Sequence, residues 1–142
     1  MSAPAFDAIR IGDVVAEAQY GPLTIDDTVR WAASQEIWER LHFDREFARE
    51  HSGQRTFIAS GAYRQAMLAR MLTDWLGARG VLRSMQVRHT APTLEGDVMR
   101  FAATCVEKSP ERSDPWIACD VNGSNQDGVT ILTGRITARL AA

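Results

Sequence analysis

The chain has 142 residues, a formal charge of −2, 45% hydrophobic residues and 24% charged residues. That length suits a single domain with its own core, and both signs of charge are spread along it with no Lys/Arg block, which excludes a phosphate-tracking nucleic-acid binder. No apolar run approaches the ~18 residues of a membrane span, so no membrane association is expected.

The first residues, MSAPAFDAIRIGDVV, carry neither a basic start nor an apolar stretch, so no secretory signal is expected. A short strand is predicted over residues 14–18, after the turn-like Gly12-Asp13. Thr24 reads as the N-cap of a helix that carries Asp26 and Asp27 in its first turn, where the helix dipole favours them, and that fades near Ser34. Asp44 reads as the cap of a short helix reaching about Glu50, stopped by Ser52-Gly53. The main helix is predicted over residues 61–76 and is apolar on most sides, so other structure must wrap it; Gly77 ends it.

The remainder reads as strands over residues 81–90, 98–107, 116–121 and 128–140. The turn signals between them are residues 93–97, residues 108–115, and Asn122-Gly123 followed by Asp127-Gly128. Strands joined this way are antiparallel, which gives an α+β layer: one long central helix cradled by a curved antiparallel sheet. Such a sheet leaves an open edge, and an open edge invites pairing. The four tryptophans (Trp31, Trp38, Trp75, Trp116) are expected in the core. Cys105 and Cys119 lie in separate strands without C-x-x-C spacing; buried free thiols and a cytoplasmic location are expected. His42, His51 and His89 form no metal-binding pattern, so no metal is expected.

One stretch carries chemistry. His42 precedes a short polar helix start, and a Ser60-Gly61 step then opens the long apolar helix. A proton-transfer side chain near a helix N-terminus, whose free N–H groups can hold a developing oxyanion, is what acyl-thioester chemistry requires. Ser60 by chemistry alone is a good cap, and no G-x-S-x-G elbow makes it a hydrolase nucleophile.

Five segments occur in a familiar order: R-L-H-F-D at 40–44, F-I-A-S-G at 57–61, T-D-W-L-G at 73–77, V-R-H-T-A-P-T-L-E-G-D at 87–97 and N-Q-D-G-V-T-I-L-T-G at 125–134. Together, over about residues 12–140, they resemble the MaoC-like dehydratases, the (R)-specific enoyl-CoA hydratase group of the hot-dog fold. The resemblance implies a hydratase/dehydratase acting on 2-enoyl or 3-hydroxyacyl thioesters. It needs no cofactor beyond the CoA or acyl-carrier phosphopantetheine of the substrate. It also implies a homodimer or larger even assembly, or pairing with a homologous subunit.

The family pattern D-x-N-x-x-H supplies an Asp and a His for water and the α-proton. Aligned on His42, this chain has Ile37 at the Asp position and Glu39 at the Asn position, so the usual dyad is broken. Residues three apart share a helical face, so Glu39 beside His42 restores a pair of proton-transfer groups if this segment is helical; Glu36 is the second carboxylate candidate. Ser60, Gly61 and Ala62 are the candidates for holding the thioester, with Trp38 and Arg88 as possible acyl-pocket or carrier contacts. Arg64 and Arg70 are expected on a solvated helix face. Two further functions are weighed. The substitution at Ile37 suits a non-catalytic acyl-binding subunit. Hot-dog thioesterases need an acid near the central helix, and Asp74 sits at the wrong end of it.

Overall fold

The structure is a computed structural model that describes residues 5–140. Strand β1 (Val14–Tyr20) leads into helix α1 (Ile25–Gln35), then α2 (Arg45–Ser52) and the long α3 (Gly61–Leu76). Each helix begins where a short polar side chain can satisfy an orphan N–H group. Thr24 and Asp27 form a reciprocal capping box, Asp44 accepts from the Phe47 N–H, and Ser60 accepts from the Tyr63 N–H. Gly53 ends α2 and Gly77 ends α3.

Strands β2 (Val81–His89), β3 (Met99–Lys108), β4 (Trp116–Ser124) and β5 (Thr130–Arg139) complete a five-stranded antiparallel sheet in the order β1-β3-β4-β5-β2. Alternate residues point to one face. Met99, Phe101, Ala103 and Cys105 of β3, Ile117, Cys119 and Val121 of β4, and Leu132, Ile136 and Ala138 of β5 are all buried. Leu68, Met71, Leu72 and Leu76 of α3 join them in one core cluster. Each Leu, Ile, Val, Phe or Met among them contributes about 1.5–3 kcal/mol on burial, which makes the α3–sheet layer the main source of stability. A second, smaller cluster of Leu23, Ala48, Phe57 and Ala59 holds α2 and the run before α3 against the rest. No helix among the described residues is long and apolar enough to cross a membrane.

Three expectations are corrected. Asn122-Gly123 is not a turn: it lies inside β4, paired with β3 and β5, and the reversal is at Asn125–Gly128. Gly123 is there because a Cβ would meet the Phe101 ring at 2.7 Å and Leu132 at 3.0 Å. The tryptophans do not build the core. Trp38 is 63% exposed, the other three are half-buried, and the fully buried side chains are mainly aliphatic, because the layer between one helix and one sheet is thin. Finally, residues 36–39 are not helical. Glu36 adopts the left-handed conformation that ends α1, and Glu39 is extended ahead of a 3-10 turn, Arg40–His42.

Candidate active site

The 3-10 turn brings positions 39 and 42 together by a different route from the α-helix expected, since residues three apart eclipse at three residues per turn. The His42 side chain is only 16% exposed, and its Nε2 lies 3.9 Å from Oε2 of Glu39, which is 64% exposed. On the other side of the ring, Nδ1 lies 2.9 Å from the Ile58 carbonyl oxygen. A carbonyl only accepts, so Nδ1 carries the proton and Nε2 of the neutral ring keeps its lone pair. The turn is fixed from below by Asp44, which accepts from Arg40 and caps α2; the Phe47 N–H and then the Arg40 guanidinium hold its carboxyl below the usual range.

Ile58 stands two residues before the cap of α3. Its N–H donates to the Leu41 carbonyl at 3.2 Å, while the next residue, Ala59, donates to the Thr93 carbonyl at 2.8 Å. The run into α3 is thus bonded to the histidine turn on one side and to the segment after β2 on the other. At the helix mouth, Ser60 Oγ takes the Tyr63 N–H at 3.1 Å and the Ser60 carbonyl takes the Arg64 N–H at 3.3 Å. That leaves the N–H groups of Gly61 and Ala62 without a partner among the described residues, at the positive end of a 16-residue helix. The Ser60 hydroxyl acts as a cap and keeps its own hydrogen to donate.

Two residues of this region were not singled out for it by sequence reasoning. Arg64, expected on a solvated face, is 7% exposed. Its Nη1 donates to the carbonyls of Ala91 at 2.6 Å and Ile131 at 3.4 Å, and no carboxylate pairs with it among the described residues. Burial pushes its pKa down. The signal was present, since Arg64, Leu68 and Leu72 stand four apart and share one helix face. His89, at the end of β2, is half-buried against α3. A Cβ on Gly61 would lie 3.0 Å from His89 Nε2, a tight contact that would oblige the ring to shift. Burial, and then the Arg64 charge, hold the His89 pKa below its usual value.

The other candidates spread around this centre. Glu36 is exposed at the end of α1, Ala62 is exposed on α3, and Arg88 is exposed on β2. Trp38 packs edge-on to Phe43 with most of its surface in solvent. A cavity of about 390 Å³ lies along the flank of α3, lined by Tyr20, Leu23, Tyr63, Met67, Arg70 and Met99 among others. The ring of Tyr63, one of its lining residues, meets Trp31 edge-on at 5.7 Å. The buried polar side-chain atoms that lack a protein partner among the described residues also gather near the helix mouth. They are Trp31 Nε1, Arg64 Nε, His89 Nδ1 and Thr93 Oγ1, each in a residue that touches, bonds or belongs to the run 59–64.

A long helix laid across a curved antiparallel sheet defines the hot-dog class. Residues 8–116 match the family described as MaoC like domain, and the chain belongs to that family. Membership supports a hydratase/dehydratase function. Among solved structures, the (R)-hydratase of A. caviae involved in PHA biosynthesis is 18% identical, with a TM-score of 0.80 over 94% of this chain and 98% of that one. The MaoC-like dehydratase of Rhodospirillum rubrum is 20% identical, with a TM-score of 0.81 over 95% and 94%. A chain of the ChsH1-ChsH2 complex of Mycobacterium tuberculosis is also 20% identical, with a TM-score of 0.79 over 92% and 98%. These three likenesses are of fold. No curated protein matches the chain significantly.

Proposed function

We propose that this protein adds water to a 2-enoyl thioester, or removes it from the 3-hydroxyacyl product, with His42 as the proton-transfer group. The observation that carries this reading is the His42 ring itself, with Nδ1 committed to Ile58 and Nε2 left as a base 3.9 Å from Glu39. That separation is too long for a direct hydrogen bond and allows one water oxygen to touch both groups.

In the hydration direction, Nε2 takes a proton from the water as its oxygen bonds to C3. The electron pair of the C2–C3 double bond moves toward the thioester, and negative charge gathers on the carbonyl oxygen. The N–H groups of Gly61 and Ala62 stabilise that charge at the helix N-terminus. The imidazolium then returns the proton to C2, so water is added in full and the base is regenerated. One imidazole performs both transfers, which suits a chain with Ile37 where the family pattern has an Asp. Glu39 orients the water, and the α3 cavity next to Tyr63 takes the acyl group.

Spectrophotometric loss of the enoyl-CoA chromophore tests the reading, with His42→Ala expected to lower turnover by about 10²–10⁴-fold. Release of free thiol at the same rate would instead mean thioester hydrolysis. Ile37 favours a second reading, in which the chain holds the acyl group for an active homologue. Turnover by the purified protein alone eliminates it. A homodimer through the open β2 edge, where Val81 is exposed, completes the proposal, and light scattering at micromolar concentration checks it.

A further inference from the structure

His51, the cation–aromatic contacts of α2 and the polar outer face of the sheet lie away from the helix mouth. His89 does not. Its ring occupies the space that any side chain at position 61 would fill, with Nε2 and Cδ2 3.0 and 3.3 Å from the place of a Cβ. Nε2 therefore lies beside the first peptide unit of α3, next to the amides assigned to the thioester oxygen.

The tautomer follows from the partners. The ring carries one proton, because burial and the neighbouring Arg64 charge both oppose a second. Nδ1 is buried with no partner among the described residues, whereas Nε2 lies 3.3 Å from the nitrogen Nε2 of the Gln65 side-chain amide. A buried N–H without an acceptor is rarer in proteins than a bare acceptor, so the proton belongs on Nε2. Rotating the Gln65 amide by 180° exchanges its nitrogen for its oxygen, which then accepts from the ring across a long and weak contact. A stronger acceptor arriving at the mouth of α3 displaces that contact.

We propose that His89 is a further catalytic residue: its Nε2–H donates a hydrogen bond to the thioester carbonyl oxygen, alongside the N–H groups of Gly61 and Ala62. This rests on the hydratase reading above for its substrate. The two histidines then hold opposite tautomers and opposite tasks. His42 offers a lone pair to water, and His89 offers a proton to the charge that develops on oxygen. Gly61 acquires a second reason, since its missing side chain makes room for the His89 ring. No bond to His89 is made or broken, and the donor stays neutral throughout.

The experiment uses butyryl-CoA labelled with carbon-13 at the carbonyl, which has no double bond to hydrate, alongside steady-state hydration of crotonyl-CoA. Butyryl-CoA bound to the wild type is expected to show a downfield carbonyl resonance. His89→Phe should return most of that shift and lower kcat by about 10²-fold, as loss of one oxyanion donor does, with KM little changed. His89→Gln, which keeps an N–H donor, should retain part of both. If His89→Phe proves unstable by thermal melting, His89→Gln and His89→Leu carry the comparison. A wild type that fails to hydrate crotonyl-CoA yet shows the His89-dependent shift supports this inference while removing the hydratase reading. Full kcat and an unmoved resonance in His89→Phe overturn the inference and leave that reading intact. Absence of any bound-carbonyl shift in the wild type overturns it as well.

Discussion

His42 Nδ1 donates to the Ile58 carbonyl oxygen at 2.9 Å, and this bond ties the acid/base candidate to the run that becomes α3. It also sets which ring nitrogen is free. Glu39, at 3.9 Å from that free nitrogen, is the nearer carboxylate candidate, and Glu36 ends α1 in solvent.

Glu39→Gln is accordingly expected to lower hydration by about 10²-fold, as loss of the group that orients the water does, while Glu36→Gln leaves it unchanged. Steady-state kinetics on the two variants decides the assignment. The reverse pattern would move the carboxylate role to Glu36.

His89 links stability to pH. Its native pKa lies below the ordinary imidazole value of about 6.5, so between the two the unfolded chain binds a proton that the folded chain does not. Stability from this group is full above the unfolded value and falls as pH drops toward the native one. Urea unfolding across that window should show the loss in the wild type and a flatter profile in His89→Phe.

Glu95 behaves in the carboxylate sense. Arg45 first, then Thr56 and Arg55, hold its pKa down to about 2. Its contribution is present above the unfolded value, about 4.5, and is lost as pH falls from there toward 2. Glu95 is partly solvated, so Glu95→Gln should cost about 1 kcal/mol or less at neutral pH. The variant should also lose less stability than the wild type as pH falls through this range, read from thermal melts at several acid pH values.

The thiols should be silent. Cys105 and Cys119 are fully buried and opposite one another in the β3–β4 register, and burial pushes the Cys119 thiol up to about 12. An aromatic disulfide reagent at neutral pH is expected to modify neither in the native protein and both after denaturation.

Local chemistry was legible. Thr24, Asp44 and Ser60 each declare a helix start through a bond closed within three residues, so spacing along the chain suffices to find them. The alternation in β3 was equally plain. What escaped depends on partners far apart in sequence. Arg64 meets Ala91 and Ile131, and His89 meets Gly61, only after the sheet has closed around α3. Asn122-Gly123 has the composition of a turn, yet the Phe101 ring overrides it from a neighbouring strand. Glu39 was paired with His42 on the premise of an α-helix, and the 3-10 turn achieves the same proximity because both geometries bring residues three apart to one side.

The short run from Phe57 to Ser60 acts as a yoke. Bonded to Leu41 and His42 on one flank and to Thr93 on the other, it carries the imidazole and the amides of the helix mouth as one body. Drift of α1 or of the exposed Trp38 side chain therefore leaves the spacing between the His42 ring and those amides unchanged.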